Sequence, residues 1–502
     1  MRKAKKFSLF LSIILLLTTF SPFLHVSATF TPNFELNSQG VYMVNTDTDI
    51  VVVSKNADDK MYPASLTKIM TCLVSLEEIK DFNAYVLVPY TAFNEFWEDN
   101  PNFWGASDAA IEPRQSNITY MDLLYALMLP SSCEAANILA YNIGGESIAN
   151  FVQMMNDKAK EIGCKNTNFT NPHGLFDPNN YTTAYDMYLI TKYAIDNYPR
   201  FMEICDTYSY EMPPNDANPD GYFVSHTNAM MKTTSDYYYE GVHGVKTGSI
   251  DYMYFPQENG LYDTSVYEYG YRCLVTTAER DGFHYIIVSM GAPYFNEDGS
   301  HIAEQLSVVD HIKLYDWAFS EFEYTKVLER NEQITQVAVD KGKDADTVGI
   351  IVTEEYYTLL PKSLDRSTIQ RILEPVISAE DINGDGKVGI DDVILEAPVE
   401  TALPVANLRL KLNGEVLANI PLITEKHVEL DMTEYYKEKI QEIISTTQFK
   451  LLVAAVGILI LLAIVTGIIR KQHNQRVSEM NRRRKMTMAP TKKKKKNNVF
   501  RR

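Results

Sequence analysis

The sequence has 502 residues, a formal net charge of −18 and 45% hydrophobic residues, and a chain of this length is expected to hold about three domains. A basic leader and a basic tail hide a stronger asymmetry, because residues 29–469 alone carry a net charge of −35. Such an acidic region repels nucleic acid, so we expect no DNA or RNA partner.

The first 28 residues have the pattern of a secretion signal. Basic residues between Arg2 and Lys6 precede an apolar run over residues 7–17, and Val26-Ser27-Ala28 offers small residues for cleavage. This order is typical of a signal peptide that is removed on export. The alternative is an uncleaved anchor, but the apolar run is short for a membrane span.

The next part of the chain alternates strand-like and helix-like stretches. Residues 40–56 predict a hairpin, with apolar runs on both sides of a Thr/Asp turn. Apolar residues at helical spacing predict helices over residues 64–79 and 120–129. A further helix is predicted over residues 146–163, where Gly163 stands at the position of a C-terminal cap.

A second group of elements follows. Strands are predicted around Lys246 and over residues 272–279 and 284–293, and an amphipathic helix over residues 302–322. After that helix the composition shifts to short β-rich runs. In the last of them, Asn413-Gly414 stands between alternating apolar residues, which predicts a hairpin turn.

The C-terminal end has the pattern of a membrane anchor. Residues 451–469 contain no charge and no proline, and 19 residues are about enough to cross a hydrocarbon core of ~30 Å. The tail that follows carries 14 basic residues and one acid, which predicts a cytoplasmic C-terminus. We predict a signal peptide, a large domain, a small β-rich domain with a boundary near Tyr324, a charged helical stalk, a transmembrane helix and a basic tail, at residues 1–28, 29–323, 324–430, 431–449, 450–469 and 470–502.

Three short motifs carry chemistry. Ser65 and Lys68 lie three residues apart at the start of a predicted helix, so both side chains leave the same face, and an amine can take the proton of a hydroxyl nucleophile. Alone, the pair is more simply a capping serine beside a solvated lysine. It is followed by Ser131, within "LPSSCEAANILA", and then by Lys246-Thr247-Gly248 on a predicted strand. This order of S-x-x-K, a serine motif and K-T-G is the signature of penicillin-recognising serine enzymes.

The exported region resembles the D-alanyl-D-alanine carboxypeptidases, which are low-molecular-mass penicillin-binding proteins. "PASLTKIMT", "NTNFTNPHGLFDPNNYTTAYDM", "GVKTG" and "LVTTAERDGFHYIIVSMGAP" are similar to that family in the same order, over most of residues 35–322. Residues 324–425 resemble the β-rich stalk domain that follows the catalytic domain in the family. The resemblance implies an α/β (α+β) catalytic domain of the serine β-lactamase/transpeptidase type, a β-rich stalk domain and a transmembrane helix.

The resemblance also implies a reaction. The enzyme would remove the terminal D-alanine from peptidoglycan stem peptides at the bacterial cell surface, without a cofactor, and β-lactams would acylate it. Ser65 would be the nucleophile and Lys68 the general base, whose pKa must fall because only the neutral amine accepts a proton. Burial and the ammonium of Lys246 would both lower it.

Other residues would bind the substrate. Lys246 and Thr247 would hold its terminal carboxylate, while Gly248 lets its backbone lie against the strand. The backbone N–H groups of Ser65 and Ser249 would form the oxyanion hole. Ser131 would relay protons and contact the two lysines.

The sequence departs from the family at two places. Cys133 stands where the family usually has asparagine, and a thiol makes weaker hydrogen bonds than an amide, so substrate binding, acylation or both are expected to weaken. An aromatic and acidic insertion, residues 250–271, follows K-T-G. It either walls the cleft or forms a surface loop away from it.

The segment "DINGDGKVGIDD" matches several positions of a calcium-binding loop. The candidate ligands are Asp381, Asn383, Asp385 and Asp392. Position 12 holds aspartate in place of the usual glutamate, and a polar hairpin turn is an equally good interpretation.

Three rival functions also fit parts of the sequence. A weakened second motif would suit a module that binds peptidoglycan without turning it over, and a β-lactamase is a related enzyme. A thiol enzyme that pairs Cys133 with His173 or His243 would leave Ser65, Lys68 and Lys246 unexplained. The presence of all other catalytic positions favours the carboxypeptidase.

Overall fold

The computed structural model describes residues 30–97, 99–382 and 384–487. By its contacts the chain divides into two units. The first comprises residues up to 330 together with 354–374 and 407–420, and the second comprises 331–353, 375–406 and the residues from 421 onward.

Helices and strands in the described residues are numbered in chain order. The helices α1 to α9 are Thr67–Glu78, Tyr120–Met128, Cys133–Ile143, Ile148–Ile162, Ala184–Asn197, Pro199–Cys205, Leu306–Glu321, Met432–Ser445 and Thr447–Thr487. The strands β1 to β17 are Gly40–Asn45, Ile50–Lys55, Ser209–Met212, Tyr222–Ser225, Val242–Ser249, Tyr252–Met253, Glu268–Tyr269, Tyr271–Arg280, Phe283–Pro293, Phe322–Leu328, Gln333–Asp340, Thr347–Ile351, Tyr356–Pro361, Gln370–Pro375, Ile394–Glu396, Pro404–Leu412 and Glu415–Thr424.

A five-stranded antiparallel sheet organises the first unit. Its strand order is β2-β1-β9-β8-β5, so β5 is an edge strand with one row of backbone groups free. The hairpin predicted over residues 40–56 is confirmed as β1 and β2. The strands predicted around Lys246 and at residues 272–279 and 284–293 are confirmed as β5, β8 and β9.

Helix α1 lies inside the core rather than on its surface. Every residue from Thr67 to Leu76 is buried, including Lys68. A helix buried on all sides must pack against several neighbours, and α1 contacts α2, α3, α4, α5 and α6. Lys68 is therefore held in an apolar interior by its helix.

Four predicted helices are confirmed with small shifts at their ends, as α1, α2, α4 and α7. Helix α4 ends at Gly163, whose φ of 100° gives the left-handed cap that glycine adopts without strain. Helix α7 starts at Leu306, four residues after the predicted start. The predicted signal peptide lies outside the described residues, as does the basic tail from residue 488.

The β-rich part of the chain forms short strands, as predicted. Strand β11 pairs antiparallel with β12 and parallel with β15. Strands β16 and β17 flank Asn413-Gly414, where both residues have positive φ as a tight hairpin turn requires. The domain boundary near Tyr324 stays a prediction.

Two helices end the described chain. Helix α8 covers Met432–Ser445, within the predicted helical stalk. Helix α9 contains the predicted transmembrane run and is the one helix in the described residues that is long and apolar enough to cross a membrane. Its apolar side chains are exposed, so packing in a protein core does not account for them.

Candidate active site

Ser65 and Lys68 meet at the entry to α1. Ser65 lies in a short 3-10 turn, Ala64–Leu66, that leads directly into the helix, so the three-residue spacing puts both side chains on one face. The Nζ of Lys68 lies 3.0 Å from Ser65 Oγ. This distance permits direct proton transfer between hydroxyl and amine.

Two further contacts hold Lys68. Its Nζ donates to the carbonyl of His173 at 2.5 Å and lies 3.5 Å from Cys133 Sγ. Burial lowers the pKa of Lys68, whereas the neighbouring Cys133 and Glu134 raise it, and the net direction is down. A lowered pKa leaves more of the amine neutral at physiological pH, as a general base requires.

Lys246 is the second buried lysine of the site, and the charge on Lys68 affects its pKa. It is fully buried on β5, and its Nζ donates to the carbonyl of Thr247 at 3.0 Å. Burial and the positive charge on Lys68 lower the pKa of Lys246. Two buried ammonium groups at one site repel each other, so a bound anion would be strongly favoured there.

Ser131 lies between α2 and α3, and Cys133 is the first residue of α3. Ser131 has a φ of 70°, and Ser132 caps α3 by accepting from the N–H of Ala135 at 2.9 Å. The chain is pinned by Ser107, which accepts the N–H of Cys133 at 2.8 Å and donates its hydroxyl to Ser131 O at 2.6 Å. This strained turn aims residue 131 at the cleft.

The Oγ of Ser131 is buried and has no hydrogen-bond partner within the described part of the chain. Among the described residues Ser131 Oγ makes no hydrogen bond to Lys68 or Lys246, and its predicted role as a proton relay stays a prediction. A buried hydroxyl without a partner is unusual in a folded protein, so it calls for an explanation, and a bound substrate or water would supply one here. Cys133 contacts Lys68 as its position predicts, through sulfur at 3.5 Å.

Strand β5 forms the opposite side of the cleft. Gly248 packs so closely that a Cβ built on it lies 3.0 Å from the carbonyl oxygen of Pro63 and 3.2 Å from the Cβ of Ala64. Ile250 N donates to the carbonyl of Tyr271 on β8, so by alternation the N–H of Ser249 faces the free edge. The free N–H of Ser249 is therefore available to an oxygen in the cleft.

Several residues of the site were not foreseen from the sequence. Thr227 places its Oγ1 2.5 Å from Thr247 Oγ1. His173 is buried, with its Nε2 2.9 Å from Glu95, and its Nδ1 accepts the N–H of Leu175, so the hydrogen bonds assign the Nε2–H tautomer. Burial raises the pKa of Glu95, but its bonds to His173 and Asn137 outweigh that effect and lower it.

This network fixes the carbonyl that Lys68 binds. No sequence spacing links residues 95, 137 and 173, although His173 lies within the "NPHG" stretch that resembles the family. The structure also engages the two histidines of the thiol hypothesis elsewhere, His173 with Glu95 and His243 with Asp206 at 2.9 Å.

Five of the candidate residues line one cleft of about 660 Å³, whereas Lys68, Lys246 and Cys133 are buried behind its lining. Its lining includes residues of all three motifs, namely Ser65, Ser131, Thr247, Gly248 and Ser249. The insertion after β5 also lines it, through Ile250, Asp251, Tyr252 and Tyr254. The start of the insertion, residues 250–254, therefore walls the cleft, and the role of its remaining residues stays a prediction.

The predicted calcium loop does not show converging ligands. Asp381 accepts the N–H groups of Gly384 and Gly386, and Asp392 accepts those of Ile382 and Gly389. In the part of the chain that the structure describes, no group of three His, Cys, Asp or Glu side chains is arranged for a metal ion. Asn383 lies outside the described residues, and the calcium site stays a prediction.

Comparisons with known proteins cover two parts of the chain. The D-alanyl-D-alanine carboxypeptidase family, Peptidase S11, matches residues 26–253, and the C-terminal domain of penicillin-binding protein 5 matches residues 322–430. The chain is 28% identical over 421 residues to D-alanyl-D-alanine carboxypeptidase DacF of Bacillus subtilis (strain 168), covering 84% of this chain and 93% of that protein. It is 26% identical over 329 residues to DacA of Haemophilus influenzae, covering 65% and 73%.

Solved structures agree with these matches. Penicillin binding protein 5 from Haemophilus influenzae superposes with a TM-score of 0.52 at 25% identity, covering 80% of this chain and 99% of that chain. DacD from Francisella tularensis gives a TM-score of 0.55 at 22% identity, covering 82% and 100%, and this likeness concerns the fold alone. The predicted fold class, an α/β catalytic domain followed by a β-rich domain and an apolar helix, is confirmed.

Proposed function

We propose that this chain works through a serine acyl-enzyme intermediate. It belongs to the family of D-alanyl-D-alanine carboxypeptidases, the low-molecular-mass penicillin-binding proteins. The reaction removes the terminal D-alanine from a peptidoglycan stem peptide. The observation that carries the serine mechanism is the 3.0 Å contact between Ser65 Oγ and the buried Nζ of Lys68, beside a cleft that Ser65, Thr247 and Gly248 line.

Acylation proceeds in two stages. Ser65 Oγ attacks the carbonyl carbon between the two D-alanines while its proton passes to the neutral Nζ of Lys68. The oxyanion accepts hydrogen bonds from the N–H groups of Ser65 and Ser249, a contribution of roughly 3–4 kcal/mol per donor. The C–N bond then breaks, the leaving nitrogen takes a proton through Ser131 Oγ, and D-alanine departs.

Deacylation repeats the chemistry with water. A water molecule gives its proton to Lys68 and attacks the ester carbonyl, and Ser65 Oγ recovers a proton as the shortened peptide leaves.

Before acylation, the terminal carboxylate of the substrate is held by Lys246 and Thr247. A β-lactam acylates Ser65 in the same way and leaves slowly, so the enzyme is penicillin-sensitive.

The test uses the full chain in detergent. Wild-type protein should bind a fluorescent penicillin covalently and release D-alanine from diacetyl-Lys-D-Ala-D-Ala, and Ser65→Ala should lose both activities. Ser320→Ala removes an exposed serine on α7 and serves as the matched control. Labelling without D-alanine release would favour the peptidoglycan-binding module, and absence of both signals in wild type would refute the serine mechanism.

The membrane orientation is part of the same proposal. Helix α9 anchors the chain, the catalytic region faces the outside of the bacterial cell, and the basic C-terminus is cytoplasmic. Basic residues after Ile469 support this orientation because positively charged flanks stay inside. Protease added to intact cells should digest the catalytic region and spare a C-terminal epitope tag; digestion of the tag would reverse the orientation.

A further inference from the structure

The insertion after β5 is tied to the other side of the cleft. Asn102 donates its Nδ2 to the carbonyl of Tyr254 at 2.9 Å and accepts the N–H of Tyr254 at 3.0 Å. This pair of bonds brings Trp104 beside Tyr254, with ring centroids 6.3 Å apart. Trp104 remains 60% exposed although it lines the cleft. Packing therefore does not account for so large an exposed ring at this position.

Other rings hold this side of the cleft in place. Tyr252 packs against Tyr267 and Phe295, with centroids 4.9 and 5.1 Å apart. Tyr252 also belongs to strand β6, which pairs antiparallel with β7. We call Trp104, Tyr252 and Tyr254 the aromatic wall. Because backbone and ring contacts fix it, the wall offers preformed ring faces to a ligand.

The carboxylate of Asp251 lies next to the aromatic wall in the chain and in the cleft lining. Asp251 is exposed, and its Oδ1 lies 3.3 Å from the hydroxyl of Ser249. Of the cleft-lining residues that the structure describes, Asp251 is the one acid and Arg272 the one cation. The guanidinium of Arg272 lies over the ring of Tyr294, 4.1 Å from its centroid.

The direction of the substrate brings its third residue to this wall. The proposed function puts the terminal carboxylate at Lys246 and Thr247 and the scissile carbonyl at Ser249. A peptide along the free edge of β5 advances about 3.3 Å per residue. The stem-peptide residue before the two D-alanines then lies opposite Asp251–Tyr254.

We propose that Asp251 and the aromatic wall bind the third stem-peptide residue when its side chain is an aliphatic chain that ends in a free ammonium. This inference rests on the proposed function for the direction of the peptide. The methylene groups lie on the ring faces, and the ammonium contacts Asp251 and the electron-rich faces of the rings. The strongly acidic exported region favours the same charge.

The subsite makes the reaction sensitive to cross-linking. An amine that has been converted to an amide carries no charge and loses both attractions. The enzyme therefore acts preferentially on stem peptides whose third-residue amine is still free.

The test compares two substrates that differ at that amine. Nα-acetyl-Lys-D-Ala-D-Ala keeps the ammonium, and diacetyl-Lys-D-Ala-D-Ala lacks it. For the full-length wild-type chain we expect kcat/KM to favour the free amine by about 5- to 10-fold, mainly through KM and less so at high salt. Asp251→Asn and Trp104→Ala should each reduce this preference to less than about 2-fold, while Asp251→Glu and Trp104→Phe should retain most of it.

Two control variants share the chemistry but lie outside the cleft lining. Asp263→Asn removes a half-buried acid of the same insertion, and Tyr85→Ala removes a ring that is 71% exposed. Both should keep the wild-type preference. Equal kcat/KM for the two peptides in wild type, or loss of the preference in both controls as well, would overturn the proposal.

A binding measurement separates this proposal from the proposed function. Calorimetry of both peptides against full-length Ser65→Ala measures affinity without turnover. Tighter binding of the free amine that disappears in Ser65→Ala/Asp251→Asn supports the subsite even if wild type releases no D-alanine, in which case the catalytic proposal fails alone. Equal affinity of the two peptides overturns the subsite whatever the turnover.

Discussion

At the scale of single residues, Cys133 is the departure from the family with the clearest consequence. Its sulfur lies 3.5 Å from Lys68 Nζ, in a buried position where an amide would give stronger hydrogen bonds. We expect Cys133→Asn to raise kcat/KM for D-alanine release by about 3- to 10-fold, since one neutral hydrogen bond is worth about 1 kcal/mol. Initial rates of D-alanine release measure this.

Cys133→Ser is the matched control, because it replaces the thiol by a small hydroxyl without supplying an amide. Thermal unfolding of both variants shows whether the buried site tolerates the change. An unchanged or slower Cys133→Asn enzyme with wild-type thermal stability would mean that the site is adapted to the thiol.

The acylation rate should also report the protonation of Lys68. Burial lowers the pKa of Lys68, so the rate of penicillin acylation should rise with pH along a limb below the ordinary lysine value of ~10.4. Glu134 raises the pKa of Lys68 through its charge. Glu134→Gln should therefore shift the rising limb toward lower pH. Stopped-flow acylation from about pH 6 to about pH 10 measures it.

Glu203→Gln removes an exposed acid on α6 and should leave the pH profile unchanged. A shift toward higher pH in Glu134→Gln would contradict the charge effect. Glu134 also accepts the N–H of Ala109 at 2.6 Å, a bond that the glutamine retains, so the comparison isolates charge.

At the scale of elements, Gly248 shows how tightly β5 and the Ser65 turn depend on each other. A Cβ at residue 248 would meet the Pro63 carbonyl at 3.0 Å, so Gly248→Ala must push the strand and the turn apart by a few tenths of an ångström. Because catalysis depends on positioning, we expect kcat/KM to fall by roughly 10- to 100-fold. D-alanine release and circular dichroism of the variant measure the effect.

Gly389→Ala is the control, because its Cβ would meet only an ordinary contact of 3.8 Å with Asp392. It should keep full activity. Wild-type activity in Gly248→Ala would show that the strand and the turn adjust independently.

The elements that the sequence predicts, and those it does not, differ in how they are buried. Helix α4 has a polar face and a glycine cap, so the helical spacing of its apolar residues can be recognised in the sequence. Helix α3 is buried along its first eight residues, so no polar face interrupts its apolar pattern. The residues of the candidate site divide in a similar way. Short sequence motifs predict Ser65, Lys68 and K-T-G. Thr227 and His173 join the site through long-range contacts that no local spacing encodes.

At the scale of the whole molecule, we expect the catalytic region and the apolar C-terminal helix to have separate tasks. The described residues of α9 bury none of its apolar run, so this helix adds nothing to the core of the folded chain. We therefore expect removal of residues 447–502 to yield a protein that is released from membranes and keeps the wild-type kcat/KM on a soluble peptide within about 2-fold.

Activity on intact cell wall should instead fall after this truncation, because anchoring confines the enzyme near its polymeric substrate and raises its effective concentration there. Cell fractionation, D-alanine release from the soluble peptide and D-alanine release from the wall of intact cells measure the three properties. A longer truncation that also removes α8 controls for the length of the stalk. If the protein that ends at residue 446 lost activity on the soluble peptide or unfolded at a lower temperature, α9 would contribute to the fold, and the separation of anchor from catalyst would be wrong.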